Sequence, residues 1–380
     1  MGSKPVKPTR PPLRVRLTAR RNRLFADPRF QYWVARLPLI NRLAKARAGR
    51  AFDVLAGFTY SQILHTCFAS GLFDILADGP LDHRSIAAKL DLSAQATLTV
   101  LRAARALELS EEPAPDHWML GELGAVLAAD QGIAAMVHHN RLLYADLADP
   151  LDLLRRDRQQ PTELSRYWSY AGALHGAGER GRDTAEYSQL MASSQHFVAD
   201  QVLASFRFPK NARLLDVGGG HGAFLSRMGA AHPDLHLGLF DLPEVAEQGA
   251  QNLVQTFGPQ RVSAHQGNFF QDPIPQGYDI VSLVRILHDH DDEPAHRLLT
   301  NIRASLAPGA RLLIAEPMAQ TPGAHGMGEA YFGMYLWAMG SGRPRSRQTI
   351  AQMALAAGFA RIRFIATAQP VNASIVVATA

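Results

Sequence analysis

The amino-acid sequence predicts an α/β protein with a mostly parallel sheet in its C-terminal half and a helical domain of winged-helix pattern before it. Three observations lead to this prediction. Apolar strands alternate with helices from residue 206 onward, a glycine-rich loop follows the first of those strands, and three helices and an extended piece occupy 51–125. Parallel strands buried on both faces read as apolar runs separated by crossover helices, which is the pattern found here.

The composition is that of a folded protein from a reducing compartment. The chain has 380 residues, of which 47% are hydrophobic and 19% charged, with a single cysteine, Cys67. This balance excludes a disordered chain. One cysteine excludes a disulfide scaffold and a cysteine-rich metal site. No apolar stretch reaches the roughly 18 residues that a membrane-spanning helix needs, so none is expected.

The net charge of +5 is divided unevenly along the chain. Residues 1–50 hold 14 of the 39 basic side chains and one of the 34 acidic ones, a net of +13, so the rest of the chain carries −8. We expect the proline-rich stretch 1–28 to be a flexible arm. Residues 30–43 place apolar side chains near helical spacing with arginines between them. Such a segment can lie on an anionic membrane surface or pack on its own or a partner subunit.

The next region, 51–125, is expected to form the winged-helix domain. Helices are predicted over 52–71, 82–90 and 93–107, with Ser93 as the N-cap of the third, and an extended piece follows at 118–120. Winged helices often read DNA. The third helix offers only two arginines, however, so we expect a dimerising use and no nucleic-acid partner.

A helical linker and substrate-pocket region, 126–205, precedes the C-terminal domain, 206–380. Two helices are predicted there, over 222–232 and 243–257, each after one of the first two strands. Seven strands are predicted in this domain, at 214–217, 235–241, 261–266, 278–284, 310–316, 361–366 and 374–379.

The strongest functional signal is the loop after the first of these strands, where residues 214–222 read LLDVGGGHG. Glycines let the backbone turn sharply and approach a ligand closely. Asp241 ends the second strand, where a carboxylate can bind a ribose diol. Asp216 precedes the glycines and would attract a cationic group but repel a pyrophosphate. The loop therefore favours a nucleoside with a cationic amino-acid end, although its spacing also fits the dinucleotide site of an NAD(P)-dependent oxidoreductase.

With the segment FDLP at 240–243, this loop resembles the S-adenosylmethionine-dependent small-molecule O-methyltransferases of plants and bacteria. The resemblance covers residues 50–380. It implies a winged-helix dimerisation domain, a Rossmann-like class I methyltransferase domain, S-adenosyl-L-methionine as the cofactor and a homodimer. Gly218 and Gly220 would face the methionine end of the cofactor, and Asp241 and Leu242 would belong to its ribose site.

Two further segments resemble motifs of the same family. Residues 267–270, GNFF, are similar to its Gly-Asp-Met-Phe, whose Asp and Met hold the adenine, so Asn268 and Phe269 take those places. Residues 283–292, LVRILHDHDD, are similar to its Leu-Lys-x-x-x-His-Asp-Trp-x-Asp, whose His is the catalytic base. The resemblance implies His288 as the base, with Arg285 in the place of the family's Lys among the cofactor-binding residues.

The chemistry of methyl transfer suits a histidine at this position. A neutral imidazole is available near pH 7 and can take the proton of an acceptor hydroxyl. The polar run that contains His288 would also suit a helix N-cap or metal ligands. Adjacent residues cannot all point at one ion, so we expect no metal. In plant relatives two acids assist the histidine; Glu316 stands in the place of one, and Pro344 replaces the other.

The acceptor site is predicted from residues 330–339, AYFGMYLWAM, which are apolar on every side of a helix. Such a helix must be enclosed, either as core or as the wall of a pocket. Tyr331, Met334 and Tyr335 are the candidates there. Tyr187 and Met191 lie where relatives line the substrate pocket.

The segments at 21–30 and 56–62 resemble the carotenoid branch of the family from purple bacteria. That branch methylates the tertiary 1-hydroxyl of acyclic carotenoids, which implies a hydrophobic, membrane-dissolved acceptor. We therefore expect a cytoplasmic protein whose basic arm can contact the cytoplasmic face of the inner membrane. A bacteriochlorophyllide, a polyketide or a phenol remains an alternative acceptor, and a DNA-binding regulator an alternative function.

Overall fold

The computed structural model describes residues 11–168 and 195–380. The chain forms two compact units, Met1–Ala125 and Val126–Ala380. The division lies at residue 125, where the sequence placed the end of the winged-helix domain. Residue 50, where the sequence placed the end of the segment made of the basic arm and the amphipathic helix, lies within one continuous helix. Among the described residues, no helix is long and apolar enough to cross a membrane.

The described part of the first unit begins with three helices, α1 (Leu13–Ala26), α2 (Pro28–Arg36) and α3 (Pro38–Ala69). The expectation of a flexible arm is wrong for α1. Its arginines, leucines and alanines are strong helix formers. The prolines stand at helix starts, where a missing backbone N–H costs little: Pro12 is the N-cap of α1, and Pro28 and Pro38 are the first residues of α2 and α3.

The rest of this unit is the winged helix that the sequence predicts. Its helices are α4 (Leu72–Ala77), α5 (His83–Leu90), α6 (Ala94–Ala106) and the start of α7 (Glu122–Ala128). Ser93 caps α6 by accepting a hydrogen bond from the backbone N–H of Ala96 at 3.1 Å, as expected. The domain is not entirely helical. Strands β1 (Ser110–Ala114) and β2 (His117–Leu120) form an antiparallel hairpin, the wing.

The second unit begins with helices, as the sequence predicts for the described part of 126–205. They are α8 (Gln131–Asp146), α9 (Pro150–Arg155), α10 (Glu163–Tyr167) and a helix that includes residues 195–205. Each of the three named helices starts at an Asp or Thr whose side chain accepts a backbone N–H. Such caps satisfy donors that the first helical turn leaves free.

The sheet of the second unit has seven strands in the order β5-β4-β3-β6-β7-β9-β8. Strands β3 to β7 are parallel, and β9 lies antiparallel between β7 and β8. The mostly parallel seven-stranded sheet is therefore confirmed. The strands are β3 (Arg213–Val217), β4 (His236–Asp241), β5 (Val262–Gln266), β6 (Ile280–Val284), β7 (Arg311–Glu316), β8 (Arg361–Ile365) and β9 (Ser374–Thr379).

Helices cover both faces of this sheet because successive strand residues point to opposite sides. Leu214 belongs to one apolar cluster and Leu215 to the other. The helices that follow the strands are α11 (Ala223–Ala231), α12 (Pro243–Phe257), α13 (Asp292–Ser305), α14 (Gly333–Met339) and α15 (Arg347–Ala356). A π-helix, Gly326–Phe332, leads directly into α14. The carboxyl ends of β3, β4, β6 and β7 meet at one edge, which is where parallel sheets carry ligand sites.

Candidate active site

The glycine loop lies between β3 and α11 and is shaped for close approach by a ligand. Gly218 and Gly220 have φ angles of +71° and +58°, in the left-handed region that favours glycine. A Cβ on Gly218 would lie 2.6 Å from Cδ1 of Ile286, so the loop packs tightly there. A Cβ on Gly220 would have no atom of the described residues within 4 Å. Gly220 therefore borders the open side of the loop.

Asp241, at the end of β4, supports the loop from the side. Its Oδ2 accepts a hydrogen bond from the backbone N–H of Gly220 at 2.8 Å, and its Oδ1 accepts one from Leu242 at 2.7 Å. Burial raises the pKa of the Asp241 carboxyl, and the two backbone donors partly offset that rise. Each carboxylate oxygen has a second lone pair for a ligand hydroxyl. The sequence predicted the ligand contact but not this bracing of the loop.

Asp216 lies beneath the loop with 1% of its surface exposed. Its Oδ1 accepts a hydrogen bond from the Ser282 hydroxyl at 2.6 Å, whereas Oδ2 is buried with no hydrogen-bond partner among the described residues. Burial raises the pKa of this carboxyl to about 7. An unpartnered buried acceptor is costly. Together with the open space at Gly220, this acceptor fits a ligand that brings a polar or cationic group to the loop.

The GNFF segment follows β5 at the same edge. The side chain of Asn268 is used within its own turn, because its Oδ1 accepts a hydrogen bond from the backbone N–H of Phe270 at 2.9 Å. The ring of Phe269 lies beside the glycine loop, 3.5 Å from the place of a Cβ on Gly218. Of the two residues expected at the adenine, Phe269 therefore lies beside the loop, whereas the side-chain oxygen of Asn268 already accepts a hydrogen bond within its own turn.

His288 is placed by a 3₁₀ turn, Leu287–Asp289, that follows β6. Its side chain is buried between two carboxylates. Nε2 lies 3.0 Å from Oδ1 of Asp289, and Nδ1 lies 3.8 Å from Oε2 of Glu316, the last residue of β7. The same Glu316 oxygen accepts the backbone N–H of His288 at 3.2 Å. The structure therefore brings together the two residues that the sequence singled out as the base and its assistant.

For both His288 and Glu316, burial and the neighbouring charges shift the pKa in opposite directions. Burial lowers the pKa of the His288 imidazole, but the Asp289 and Glu316 carboxylates outweigh it and hold that pKa above its ordinary value. Burial raises the pKa of Glu316, which His288 and Arg345 partly offset. Arg285, just before the turn, has a φ of +58° and opposes protonation of His288. A histidine with a raised pKa in a closed site can accept and hold a proton.

The predicted pocket wall faces His288 through the π-helix and α14. The ring of Phe332 lies 5.7 Å from the His288 ring, and Met334 is half-buried. The hydroxyls of the two tyrosines have partners on other helices, and the Tyr335 ring is buried in an apolar cluster with Trp168 and Leu336. Tyr331 donates to Asn140 at 2.8 Å, and Tyr335 binds His139 at 2.7 Å and Trp168 at 3.2 Å. Tyr187 and Met191 lie outside the described residues.

Sequence reasoning missed His139, Asn140 and Trp168. A signal for the first two does exist, since residues 138–141 interrupt an otherwise apolar helical stretch with four polar side chains. The segment around Pro344 lies against the His288 turn, with the backbone N–H of Arg343 donating to the His288 carbonyl at 2.9 Å. Among the residues that the structure describes, no three His, Cys, Asp or Glu side chains come together as a metal site.

Comparisons with known proteins agree with this geometry. Residues 144–360 match the O-methyltransferase domain, and residues 52–130 match the O-methyltransferase dimerisation domain. The chain is 37% identical to the demethylspheroidene O-methyltransferase of Cereibacter sphaeroides, over 94% of this chain and 93% of that protein. It is 37% identical to the protein of the same name from Rhodobacter capsulatus, over 99% and 91%.

Solved structures show the same fold at lower identity. The pyocyanin biosynthetic protein PhzM aligns with a TM-score of 0.73 and 21% identity, over 88% of this chain and 99% of that one. Human N-acetylserotonin methyltransferase, solved in complex with SAM, aligns with a TM-score of 0.67 and 22% identity, over 87% and 97%. The matching domain spans more than half of the sequence, and its relatives extend over nearly all of it. The chain therefore belongs to the S-adenosylmethionine-dependent O-methyltransferases.

Proposed function

We propose that this O-methyltransferase methylates the tertiary 1-hydroxyl of an acyclic carotenoid. One observation carries the choice of acceptor. Two demethylspheroidene O-methyltransferases are each 37% identical to the chain over more than nine-tenths of its length. The geometry of the site also supports S-adenosylmethionine as the cofactor, His288 as the base and an apolar acceptor.

The cofactor site of this proposal is the edge formed by β3, β4 and β5. Asp216, Gly218 and Gly220 would hold the methionine end, and Asp241, Leu242, Asn268 and Phe269 the nucleoside end, with Arg285 nearby. Support comes from the open side of Gly220 and from the unpartnered Oδ2 of Asp216, which suits an ammonium group. When bound, S-adenosylmethionine supplies an electrophilic methyl group.

His288 is the proposed general base. Its Nδ1 faces Glu316, so a proton on Nδ1 would hold the ring toward that carboxylate. The acceptor hydroxyl would take the place of the Asp289 carboxylate, which lies 3.0 Å from Nε2. As the acceptor oxygen bonded to the methyl carbon, the bond from that carbon to the sulfonium sulfur would break, S-adenosylhomocysteine would leave, and the hydroxyl proton would pass to Nε2. A tertiary alcohol is a weak acid, and a positioned base contributes about 10²–10⁴-fold to such a step. Burial of His288 keeps bulk water away from this transfer.

The pocket wall supports an apolar acceptor. The hydroxyls of Tyr331 and Tyr335 bind Asn140, His139 and Trp168, so the acceptor would meet ring faces and the Met334 side chain. Burying apolar area is worth about 25 cal/mol per Å², which favours a long hydrocarbon acceptor in such a pocket. Other apolar acceptors, such as a bacteriochlorophyllide, a polyketide or a phenol, are the outcomes against which the proposal is tested.

The dimerisation domain supports a homodimer. Helix α3 exposes Phe52, Val54, Leu55 and Phe58, between 59% and 86% each, within the matched residues. A run of exposed large apolar side chains is typical of an interface.

We further propose that α1 and α2 contact an anionic membrane surface where the acceptor is dissolved. Both helices are rich in arginine and expose large apolar side chains, Leu13 at 68% and Trp33 at 65% among them. Amphipathic helices with cationic and aromatic side chains bind the bilayer interface. The site of action would then be the cytoplasmic face of the inner membrane.

The test is methyl transfer from labelled S-adenosylmethionine to a panel of 1-hydroxylated acyclic carotenoids, chlorophyllides and phenols. We expect turnover of the carotenoids. The variant His288→Ala should lose activity by 10²-fold or more, with its affinity for S-adenosylhomocysteine within twofold of wild type. Preference for another class would overturn the acceptor, and full activity of the variant would overturn the base.

A further inference from the structure

The turn that carries His288 is held by a segment more than fifty residues later in the chain. Each of the four carbonyls of Leu287, His288, Asp289 and His290 accepts a hydrogen bond from residues 341–345, an arrangement we call the carbonyl clasp. The donors are Arg345 Nη1 to Leu287 at 2.7 Å, Arg343 N to His288 at 2.9 Å, Ser341 Oγ to Asp289 at 2.8 Å and Arg345 Nη2 to His290 at 2.7 Å.

Arg345 is the central member of the clasp because it binds the carbonyls on both sides of the turn. Its side chain is fully buried, and Nε and Nη2 also donate to Oδ1 of Asp292 at 3.0 and 2.8 Å. The planar guanidinium can serve three acceptors in one plane, which a lysine ammonium cannot do. A buried cation is tolerated only when it is paired and hydrogen-bonded. These contacts therefore fix Arg345 and the turn relative to each other.

Gly342 allows the two segments to approach this closely. Its φ is +79°, and a Cβ there would lie 2.2 Å from the carbonyl oxygen of His288. The glycine N–H also donates to Oδ1 of Asp291 at 3.1 Å. The clasp is thus built from a required glycine as well as from a buried arginine.

We propose that Arg345 is a positioning residue for His288 and acts through the carbonyl clasp. A three-residue 3₁₀ turn has little hydrogen bonding of its own, so its geometry depends on what holds it. Pro344, within this segment, has no acidic side chain with which to assist the histidine. The segment instead grips the backbone of the turn, which sets the direction of the imidazole. This inference rests on the proposed role of His288 as the base.

The experiment compares Arg345→Met with Arg347→Met, a matched change at an exposed arginine two residues away. Hydrogen–deuterium exchange is followed at the amides of residues 288–290, and kcat is measured with the 1-hydroxylated carotenoid. For Arg345→Met we expect about tenfold faster exchange of these amides and a kcat about 100-fold lower, the loss typical of a misplaced catalytic group. Affinity for S-adenosylhomocysteine should stay within twofold. Arg347→Met should change none of these.

Two further measurements separate positioning from loss of fold. Added guanidinium should restore part of kcat to Arg345→Ala, and Arg345→Lys should recover the melting temperature more fully than kcat. Unchanged exchange of the turn in Arg345→Met, faster exchange with unchanged kcat, or equal recovery of stability and kcat by lysine would each overturn the proposal. Full activity of His288→Ala would overturn the role of His288 as the base. It would leave the carbonyl clasp testable, because hydrogen–deuterium exchange of the turn does not depend on that role.

Discussion

His288 must be neutral to take a proton, and the neighbouring carboxylates of Asp289 and Glu316 favour its charged form. Its pKa is raised because Asp289 and Glu316 together outweigh the effect of burial. Below that raised pKa the imidazole is protonated and cannot act as a base. Activity should therefore fall as the pH drops through it.

The variant Glu316→Gln tests whether the charge of Glu316 raises the pKa of His288. Removing the negative charge lowers the pKa of His288, so the acid limb of the kcat profile should move to lower pH by roughly one unit. The exposed Glu329→Gln is the matched control and should leave the limb in place. An acid limb that moves to higher pH, or that moves equally in both variants, would contradict the assignment of this limb to His288.

Gly220→Ala tests the open side of the glycine loop. A side chain at a positive φ costs about 1–2 kcal/mol wherever it is placed. Gly309, with φ +86° and no atom of the described residues within 4 Å of its Cβ position, shows that cost alone. We expect both alanine variants to lose similar stability by chemical denaturation. Only Gly220→Ala should weaken S-adenosylhomocysteine binding in calorimetry, by tenfold or more; equal affinities would place the cofactor elsewhere.

Among the helices, the phenol of Tyr335 in α14 is hydrogen-bonded both to His139 of α8 and to Trp168. Trp168 can only donate to Tyr335, so the phenol hydrogen points to Nε2 of His139. Burial, with the charge of Arg285, lowers the pKa of His139 to about 4, which keeps its imidazole neutral and able to accept.

Tyr335→Phe removes both hydrogen bonds from buried surroundings. The free energy of unfolding should fall by about 1–3 kcal/mol, because buried polar groups lose their partner. Tyr32→Phe, at an exposed tyrosine of α2, is the control and should be close to neutral. Urea denaturation followed by tryptophan fluorescence measures both; equal losses would show that the network adds nothing.

The elements themselves were largely predictable. Each strand of the large sheet lies within two residues of its predicted ends, because buried parallel strands are short apolar runs between turn residues. The helix at 13–26 was missed because prolines on both sides suggested an arm, whereas they mark helix starts. The π-helix before α14 was not predicted, since such segments are rare and the apolar pattern of 330–339 indicates only a helix.

Along the whole chain, the net positive charge is concentrated in the N-terminal residues 1–50. Residues 1–50 carry +13 and the remaining chain −8, so a net of +5 describes neither part. An Arg-rich surface with exposed apolar side chains is suited to an anionic bilayer, whereas the net negative charge of residues 51–380 is not.

Deleting residues 1–26 tests the proposed membrane contact. The intact protein should co-sediment with phosphatidylglycerol vesicles and be released by salt, and it should ignore phosphatidylcholine vesicles. The truncated protein should lose this association while keeping turnover of a detergent-dispersed acceptor. Undiminished vesicle binding would contradict the proposal, and a weakened dimer with unchanged vesicle binding would assign α1 to the partner subunit instead.

Local sequence patterns were enough to predict the fold class and the glycine loop with Asp216 and Asp241, and the resemblance to the family motif added His288 and Glu316. These features follow from local patterns: apolar strands, glycines at strand ends and a motif with fixed spacing. The tertiary structure was needed to show that Asp241 braces the loop, that His139 and Asn140 bind Tyr335 and Tyr331, and that residues 341–345 clasp the His288 turn. Those contacts join residues between 21 and 196 positions apart. They depend on which surfaces the packed sheet and helices bring together, which no local pattern specifies.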